Sequence, residues 1–126
     1  ILLIKLKLMM NKNFLVTGGS GFIGSEAVRS LVDLGHNVFN LDKLTYASSE
    51  ESLYDIPKKR YKFLKGDIQK VNDIKKAIEL SKPDYILNFA AETHVDRSID
   101  GPNNFINTNI IGTYNLLSES LNYFSS

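Results

Sequence analysis

The chain has 126 residues, with 15 basic and 14 acidic side chains and a formal net charge of +1. This length is enough for one domain, and the near-neutral charge argues against a nucleic-acid-binding surface, which needs a concentrated basic patch. The sequence has no cysteine, which excludes disulfides, a thiolate nucleophile and cysteine-ligated metal sites. Its two histidines, His36 and His94, are not spaced as a ligand pair, so we predict no metal site.

The first ten residues form a segment that we separate from residues 11–126. Residues 1–8 are apolar with two internal lysines, much shorter than the ~20 apolar residues of a membrane-spanning helix. A signal peptide would place its basic residues before the apolar run. Residues 1–10 are therefore either upstream sequence ahead of a natural start at Met9 or Met10, or an extra strand in which lysine and leucine alternate.

Residues 11–126 alternate short apolar strands with helices. Strands are predicted at residues 14–16, 38–41, 61–64 and 85–89. Apolar residues three and four apart predict helices at 22–34, 71–80 and 103–124, and a short helix is placed near 49–55. Strands joined by helices pair in parallel through right-handed crossovers. We therefore predict an α/β fold, an incomplete Rossmann-type doubly wound parallel sheet of about four strands in the order 3-2-1-4.

The turn after the first predicted strand carries the strongest local signal. Gly18, Gly21 and Gly24 lie between that strand and the helix that follows, the context in which such glycines bind a dinucleotide. Gly18 permits a tight turn, Gly21 lets a pyrophosphate approach the backbone, and Gly24 allows close packing of the helix. The free N–H groups at the start of the helix would then face the phosphates. A simple strand-to-helix turn is the alternative.

Two aspartates follow later strands. Asp42 ends the second strand 18 residues after Gly24, where a carboxylate accepts from both ribose hydroxyls of an adenosine and repels a 2′-phosphate. NAD is therefore predicted over NADP, although the adjacent Lys43 weakens this preference. Asp67 ends the third strand, where it would accept from an adenine amino group. Either aspartate could instead be an ordinary loop or turn residue.

Several segments together resemble a known family. Residues 16–25 read VTGGSGFIGS and are similar to the glycine motif of extended short-chain dehydrogenases/reductases. More specific segments resemble the start of the dTDP-glucose 4,6-dehydratase family within that superfamily: NLDKLTYA at 40–47, GDI at 66–68, FAAETHVDRS at 89–98, TN at 108–109 and GTYNLL at 112–117. The likeness runs from about residue 12 to residue 121.

The resemblance implies an NAD site, position by position. Phe22 and Ile23 would lie against the pyrophosphate, and residues 42–45 would surround the adenosine ribose. Thr93 would also reach the nucleotide-sugar substrate, and its threonine replaces a serine that is common in the family. Residues 48–49 differ from the family's usual Gly-Asn. The implied cofactor-binding residues are Gly18, Gly21, Phe22, Ile23, Gly24, Asp42, Lys43, Leu44, Thr45, Asp67, Ile68, Phe89, Ala90, Ala91, Thr93 and Thr108.

The resemblance also implies a reaction: oxidation of dTDP-glucose at C4, elimination of water across C5 and C6, and return of the hydride to C6. The family uses a helical Tyr-x-x-x-Lys pair and a Thr-Asp-Glu trio, both located farther along. Residues 54–58 and 61–65 spell Tyr-x-x-x-Lys, but the first includes Pro57 and the second lies on a predicted strand. No Thr-Asp-Glu occurs. We therefore assign no catalytic residue and expect residues 11–126 to be the N-terminal part of an NAD-binding domain, truncated and inactive alone.

Two alternatives stay open. The chain could belong to another enzyme of the superfamily, such as a UDP-sugar epimerase or decarboxylase, or it could be a non-catalytic nucleotide-binding module. A cytoplasmic location, a nucleotide-sugar partner, no nucleic-acid or membrane partner and a homodimer for the complete enzyme follow from the resemblance. An unpaired fourth strand would leave an apolar sheet edge that favours self-association.

Overall fold

The computed structural model describes residues 1–3, 10–45 and 50–126. Four strands alternate with helices along the chain, as the sequence predicts. The strands are β1 (Asn13–Thr17), β2 (Asn37–Asp42), β3 (Tyr61–Lys65) and β4 (Tyr85–Asn88). The α-helices are α1 (Phe22–Asp33), α2 (Val71–Ser81), α3 (Val95–Asp100), α4 (Pro102–Phe105) and α5 (Thr113–Phe124), with a 3-10 helix at Glu50–Leu53 and a π-helical segment at Ile106–Gly112.

The strands form one parallel sheet in the order β3-β2-β1-β4. β1 lies between β2 and β4, with Leu15 opposite Phe39 on one side and Ile86 on the other. β2 pairs in turn with β3. The order reverses after β3, because the chain crosses over β1 to add β4 on its other side. The predicted doubly wound arrangement is therefore confirmed.

The apolar core is divided by the sheet into two layers. Successive residues of a strand point to opposite faces, and Leu15 and Val16 accordingly belong to different clusters. Leu15 packs with buried residues of α2 and with Leu116 of α5, whereas Val16 packs with α1 and with Leu53 and Ile56 of the connection after β2. Helices thus cover both faces of the sheet, as parallel strands require.

Two helix ends follow the sequence signals. α1 ends before Gly35, whose φ of +89° belongs to the left-handed region that glycine adopts without strain. α2 ends at Ser81, and Lys82 adopts a left-handed conformation immediately before Pro83. The first breaker is a glycine and the second a proline, and both lie where the pattern predicts.

The last predicted helix, over residues 103–124, differs in detail from the structure. It consists of α4, the wider π-helical segment and α5. Buried Gly112, the last residue of the wider segment, packs closely against Ile68, and a Cβ at Gly112 would lie 2.7 Å from Ile68 Cγ1. Residues 95–100, for which no helix is predicted, form the short exposed helix α3.

The N-terminal segment is only partly described. Residues 4–9, on which both interpretations of residues 1–10 depend, lie outside the described residues, as do residues 46–49 with the Ser48-Ser49 departure from the family pattern. Within the described ranges, no helix has the length and apolarity needed to cross a membrane.

Candidate functional site

A cleft opens at the carboxyl ends of the four strands. Its position is where doubly wound sheets bind ligands. All four strand ends contribute to it. The lining residues are Gly18, Gly21, Leu41, Asp42, Lys43, Thr45, Gly66, Asp67, Ile68, Phe89, Ala90, Ala91, Glu92 and Thr108.

The glycine turn after β1 is compact for steric reasons. Gly18 has a φ of +67°, and a Cβ there would lie 2.5 Å from the backbone nitrogen of Ala90. A Cβ at Gly24 would overlap the carbonyl oxygen of Gly18. These two positions let α1 start directly against the end of β1. The floor of the cleft is consequently backbone rather than side chains.

The amides of this turn fall into two groups. The N–H groups of Gly19, Ser20 and Gly21 donate to Asn40 Oδ1, Asp42 Oδ2 and the Gly18 carbonyl oxygen. The first N–H groups of a helix have no partner within the helix, and none of the described residues accepts from the amides of Phe22, Ile23 or Gly24. The start of α1 therefore presents unsatisfied donors and the positive end of the helix dipole.

Gly21 leaves room for a ligand at this point. A Cβ there would touch only the Gly18 carbonyl oxygen, at 3.4 Å, and Gly21 itself lines the cleft. None of the described residues thus fills the space above it. A bare backbone, unsatisfied amides and open space together fit a diphosphate group.

Asp42 is buried beside the glycine turn, at the end of the neighbouring strand β2, with only 6% of its surface exposed. Its Oδ2 accepts from the Ser20 N–H at 3.0 Å, and its Oδ1 accepts from the Leu44 N–H at 2.7 Å. Leu44 has a φ of +57°, so the chain turns sharply after β2 around this carboxylate. Two backbone amides thus fix the carboxylate of Asp42 at the cleft that this residue lines.

An ion network spans the cleft between the ends of β2, β3 and β4. Lys43 Nζ lies 3.9 Å from Asp67 Oδ2 and 3.7 Å from Glu92 Oε1. Asp67 Oδ1 also accepts from the Gln69 N–H at 2.9 Å. One cation thus faces two carboxylates that the sequence places 25 residues apart. Tertiary folding alone creates this arrangement.

Side-chain hydrogen bonds hold the wall that follows β4. Thr17 Oγ1 donates to Asn88 Oδ1 and accepts from the Ala90 N–H at 3.3 Å. Farther along, the side-chain amide of Asn109 accepts a hydrogen bond from the Glu92 N–H at 2.8 Å and donates one to the Glu92 carbonyl oxygen at 2.9 Å. These bonds hold residues 89–92 as a wall of the cleft between the sheet and the π-helical segment.

The π-helical segment closes the cleft from the side. Its buried Thr108 accepts from Gln69 Nε2 at 3.1 Å, and Asn115 of α5 donates to the carbonyl oxygens of Ile68 and Gln69. π-helical turns are often found at functional sites. Here the segment brings Thr108 and Asn109 to the cleft together.

Most residues singled out from the sequence line this one cleft. Five of the sequence-derived residues do not: Phe22, Ile23, Gly24, Leu44 and Thr93. The side chains of Phe22 and Ile23 point into solvent, 95% and 68% exposed, so only their backbone faces the turn. Gly24 is buried beneath the turn, Leu44 contributes its N–H to Asp42, and Thr93 is exposed beyond Glu92.

Sequence reasoning missed four residues that shape the cleft. Leu41, Gly66 and Glu92 line it. Buried Asn40 hydrogen-bonds Gly19 and Ser20 of the glycine turn, and also Tyr61 of β3. For Asn40 the sequence contained an indication, because this polar residue interrupts a run of apolar strand residues. An amide in the middle of an otherwise apolar parallel strand needs buried partners.

Neither Tyr-x-x-x-Lys match lies on an α-helix. Residues 61–65 form β3, which confirms the strand interpretation, and residues 54–58 form turns around Pro57. Among the described residues, no cluster of three or more histidine, aspartate or glutamate side chains is arranged to hold a metal ion.

Comparison with known proteins gives a consistent set of relatives. A dTDP-glucose 4,6-dehydratase of Haemophilus influenzae is 47% identical over 114 residues, which cover 89% of this chain and 34% of the relative. A UDP-glucose 4-epimerase of Thermus thermophilus, solved in complex with NAD, superposes with a TM-score of 0.80 at 32% identity over 88% of this chain and 34% of its own. The epimerase of Thermotoga maritima, solved with UDP-glucose, gives a TM-score of 0.80 at 34% identity over 90% of this chain and 35% of its own.

The chain spans about a third of the length of these relatives. The family described as GDP-mannose 4,6 dehydratase matches residues 15–123, which include most of β1, the other three strands, the glycine turn and the whole cleft. Fold, site position and family match agree along nearly the full length, and the chain belongs to the GDP-mannose 4,6 dehydratase family.

Proposed function

We propose that this chain is the NAD-binding part of a nucleotide-sugar 4,6-dehydratase that acts on dTDP-glucose. The observation that carries the proposal is that the unsatisfied amides at the start of α1 and the buried carboxylate of Asp42 border one cleft. Amides suit a diphosphate and a carboxylate suits the hydroxyls of a ribose. NAD has these two groups in adjacent positions.

The proposed roles follow the cleft from one end to the other. Phe22 and Ile23 donate backbone N–H groups to the diphosphate, above bare Gly21. Asp42 accepts from the ribose, while Asp67 and buried Ile68 flank the adenine. The wall formed by Phe89, Ala90 and Ala91, together with Thr108, guides the other half of the dinucleotide. Lys43, Leu44 and Thr45 complete the ribose side.

The role of these residues in a reaction is to bind, orient and exclude water. NAD, when bound, supplies the acceptor for a hydride from the sugar. Thr93 is exposed just beyond the cleft wall, and we propose that its hydroxyl contacts the nucleotide-sugar substrate. We assign no catalytic acid, base or proton-transferring tyrosine to this chain.

The choice of a dehydratase over an epimerase rests on the degree of similarity. The Haemophilus influenzae dehydratase is 47% identical to this chain, whereas the two solved epimerases are 32% and 34% identical. A homodimer for the complete enzyme and a cytoplasmic location remain predictions from the family.

Titration of the purified 126-residue chain with NAD and NADP, followed by calorimetry, tests the cofactor assignment. NAD should bind and NADP should bind more weakly. A clear preference for NADP, or no binding of either dinucleotide, would refute it.

A second measurement concerns catalysis. Incubation of the same chain with NAD and dTDP-glucose should leave the sugar nucleotide intact, as judged by mass spectrometry. Loss of one water from the sugar nucleotide would show that this chain does contain the elimination chemistry.

A further inference from the structure

We propose that Glu92 determines dinucleotide specificity by holding Lys43 across the cleft, where that cation is unavailable to a phosphate on the adenosine ribose. The proposal rests on the NAD site described above. It assigns to Glu92 a positioning role, acting on the cofactor through Lys43 rather than by direct contact.

The positive charge of Lys43 favours NADP and therefore opposes the selectivity of the site for NAD. It directly follows Asp42 and is the one cation among the described residues that line the cleft. An ammonium group beside the ribose would attract a 2′-phosphate and work against the repulsion from Asp42. The selectivity of the cleft therefore depends on where the Lys43 side chain points.

The structure shows that Lys43 points toward two acidic groups. Its Nζ lies 3.7 Å from Glu92 Oε1 and 3.9 Å from Asp67 Oδ2. The side chains of Glu92 and Asp67 are only 13% and 19% exposed. Carboxylates withdrawn from water in this way need a cation nearby, and the ion pairs are less screened than surface pairs.

Glu92 is held firmly enough to act as an anchor. Its backbone N–H and carbonyl oxygen both bond to the side chain of Asn109, which belongs to the π-helical segment. The Glu92 carboxylate therefore extends from a wall with a fixed position. Asp67 is likewise fixed, because its Oδ1 accepts from the Gln69 N–H.

The net negative charge of the cleft lining also disfavours a phosphate on the ribose. Asp42, Asp67 and Glu92 against Lys43 give the lining a formal charge of −2. A phosphate monoester carries about −1.5 to −2 at neutral pH. Removal of the Glu92 charge would both reduce this repulsion and leave Lys43 paired with Asp67 alone.

The experiment compares NAD and NADP affinities of the 126-residue chain with those of Glu92→Gln. The ratio of NADP to NAD affinity should rise roughly three- to tenfold, with NAD affinity nearly unchanged. Glu79→Gln is the matched control, since Glu79 is exposed on α2 and its substitution removes the same charge. The control should leave the ratio unchanged.

A double-mutant cycle distinguishes the release of Lys43 from a general change in the electrostatic potential of the cleft. In the Lys43→Gln background, Glu92→Gln should raise the ratio much less, because the repulsion still falls but no cation is released. A gain of the same size in both backgrounds would overturn the proposal, as would an unchanged ratio in the single variant.

Two other results need separate treatment: the Glu92→Gln chain does not fold, or the unmodified chain binds neither dinucleotide. If Glu92→Gln loses its circular dichroism signal, Glu92→Asp takes its place, because the shorter side chain keeps the charge but moves it away from Lys43. Failure of the unmodified chain to bind either dinucleotide would refute the NAD site itself and this inference with it. Binding of NAD with an unresponsive ratio would refute the inference alone.

Discussion

The backbone N–H of Ser20 donates to Oδ2 of Asp42 at 3.0 Å, which ties the glycine turn after β1 to the end of β2. The residue proposed to hold the ribose is thus also a brace for the turn proposed to hold the diphosphate. Because Asp42 is buried and also accepts from the Leu44 N–H, the two halves of the site cannot be altered independently.

Replacement of Asp42 should therefore affect stability as well as binding. Asp42→Ala leaves the amides of Ser20 and Leu44 without their acceptor, and we expect a loss of about 1–3 kcal/mol in the free energy of unfolding together with loss of NAD binding. Asp42→Asn keeps one oxygen and should recover part of the stability. Urea denaturation and calorimetry measure the two effects, and an Asp42→Ala chain as stable as the original would contradict the bracing role.

Asn40 should be important for stability without touching the ligand. Its buried side-chain amide accepts a hydrogen bond from the Gly19 N–H and donates to Ser20 Oγ and Tyr61 Oη. Asn40→Ala leaves these groups unsatisfied and should cost about 2–3 kcal/mol in urea denaturation. Asn122→Ala, on the exposed surface of α5, provides the control and should change stability by less than about 0.5 kcal/mol. Equal effects of the two substitutions would count against the network.

Gly21 and Gly24 should respond differently to the same substitution. A Cβ at Gly21 makes only an ordinary contact, whereas one at Gly24 overlaps the Gly18 carbonyl oxygen. Gly21→Ala is therefore expected to fold normally but to lose most NAD affinity, since the methyl group occupies the space proposed for the diphosphate. Gly24→Ala should lower the midpoint of thermal unfolding. Undiminished NAD binding by a well-folded Gly21→Ala chain would argue against the placement of the diphosphate.

The edge of the sheet at β4 predicts self-association. β4 pairs only with β1 within the described sheet, and Leu117 and Leu121 on the neighbouring α5 are exposed. An apolar edge of this kind favours contact between copies. We expect the chain to elute as more than a monomer at high concentration in size-exclusion chromatography with light scattering.

A pair of charged substitutions tests the location of that contact. Leu117→Glu combined with Leu121→Glu should shift the chain toward the monomer. Leu34→Glu, an equally exposed leucine at the end of α1 on the other face of the sheet, should not. A sharp monomer peak of the unmodified chain at high concentration would contradict the prediction.

The sequence by itself determined the sheet and the glycine turn. Short apolar strands separated by amphipathic helices allow few topologies, and local rules place Gly18, Gly35 and Pro83 where the backbone turns. The positions of Asp42 and Asp67 at strand ends also follow from the chain, because the carboxyl ends of parallel strands lie at one edge of a sheet.

Only the tertiary structure decided the contacts among side chains far apart in sequence. The pairing of Lys43 with Glu92, the two bonds from Asn109 to the Glu92 backbone and the support of Gly19 by Asn40 each join different elements. The close packing of Gly112 against Ile68 is another contact of this kind, since it joins the π-helical segment to the residues that follow β3. Periodicity reports which face of an element is buried, but the partners of a polar side chain depend on the distances that packing of the whole sheet establishes.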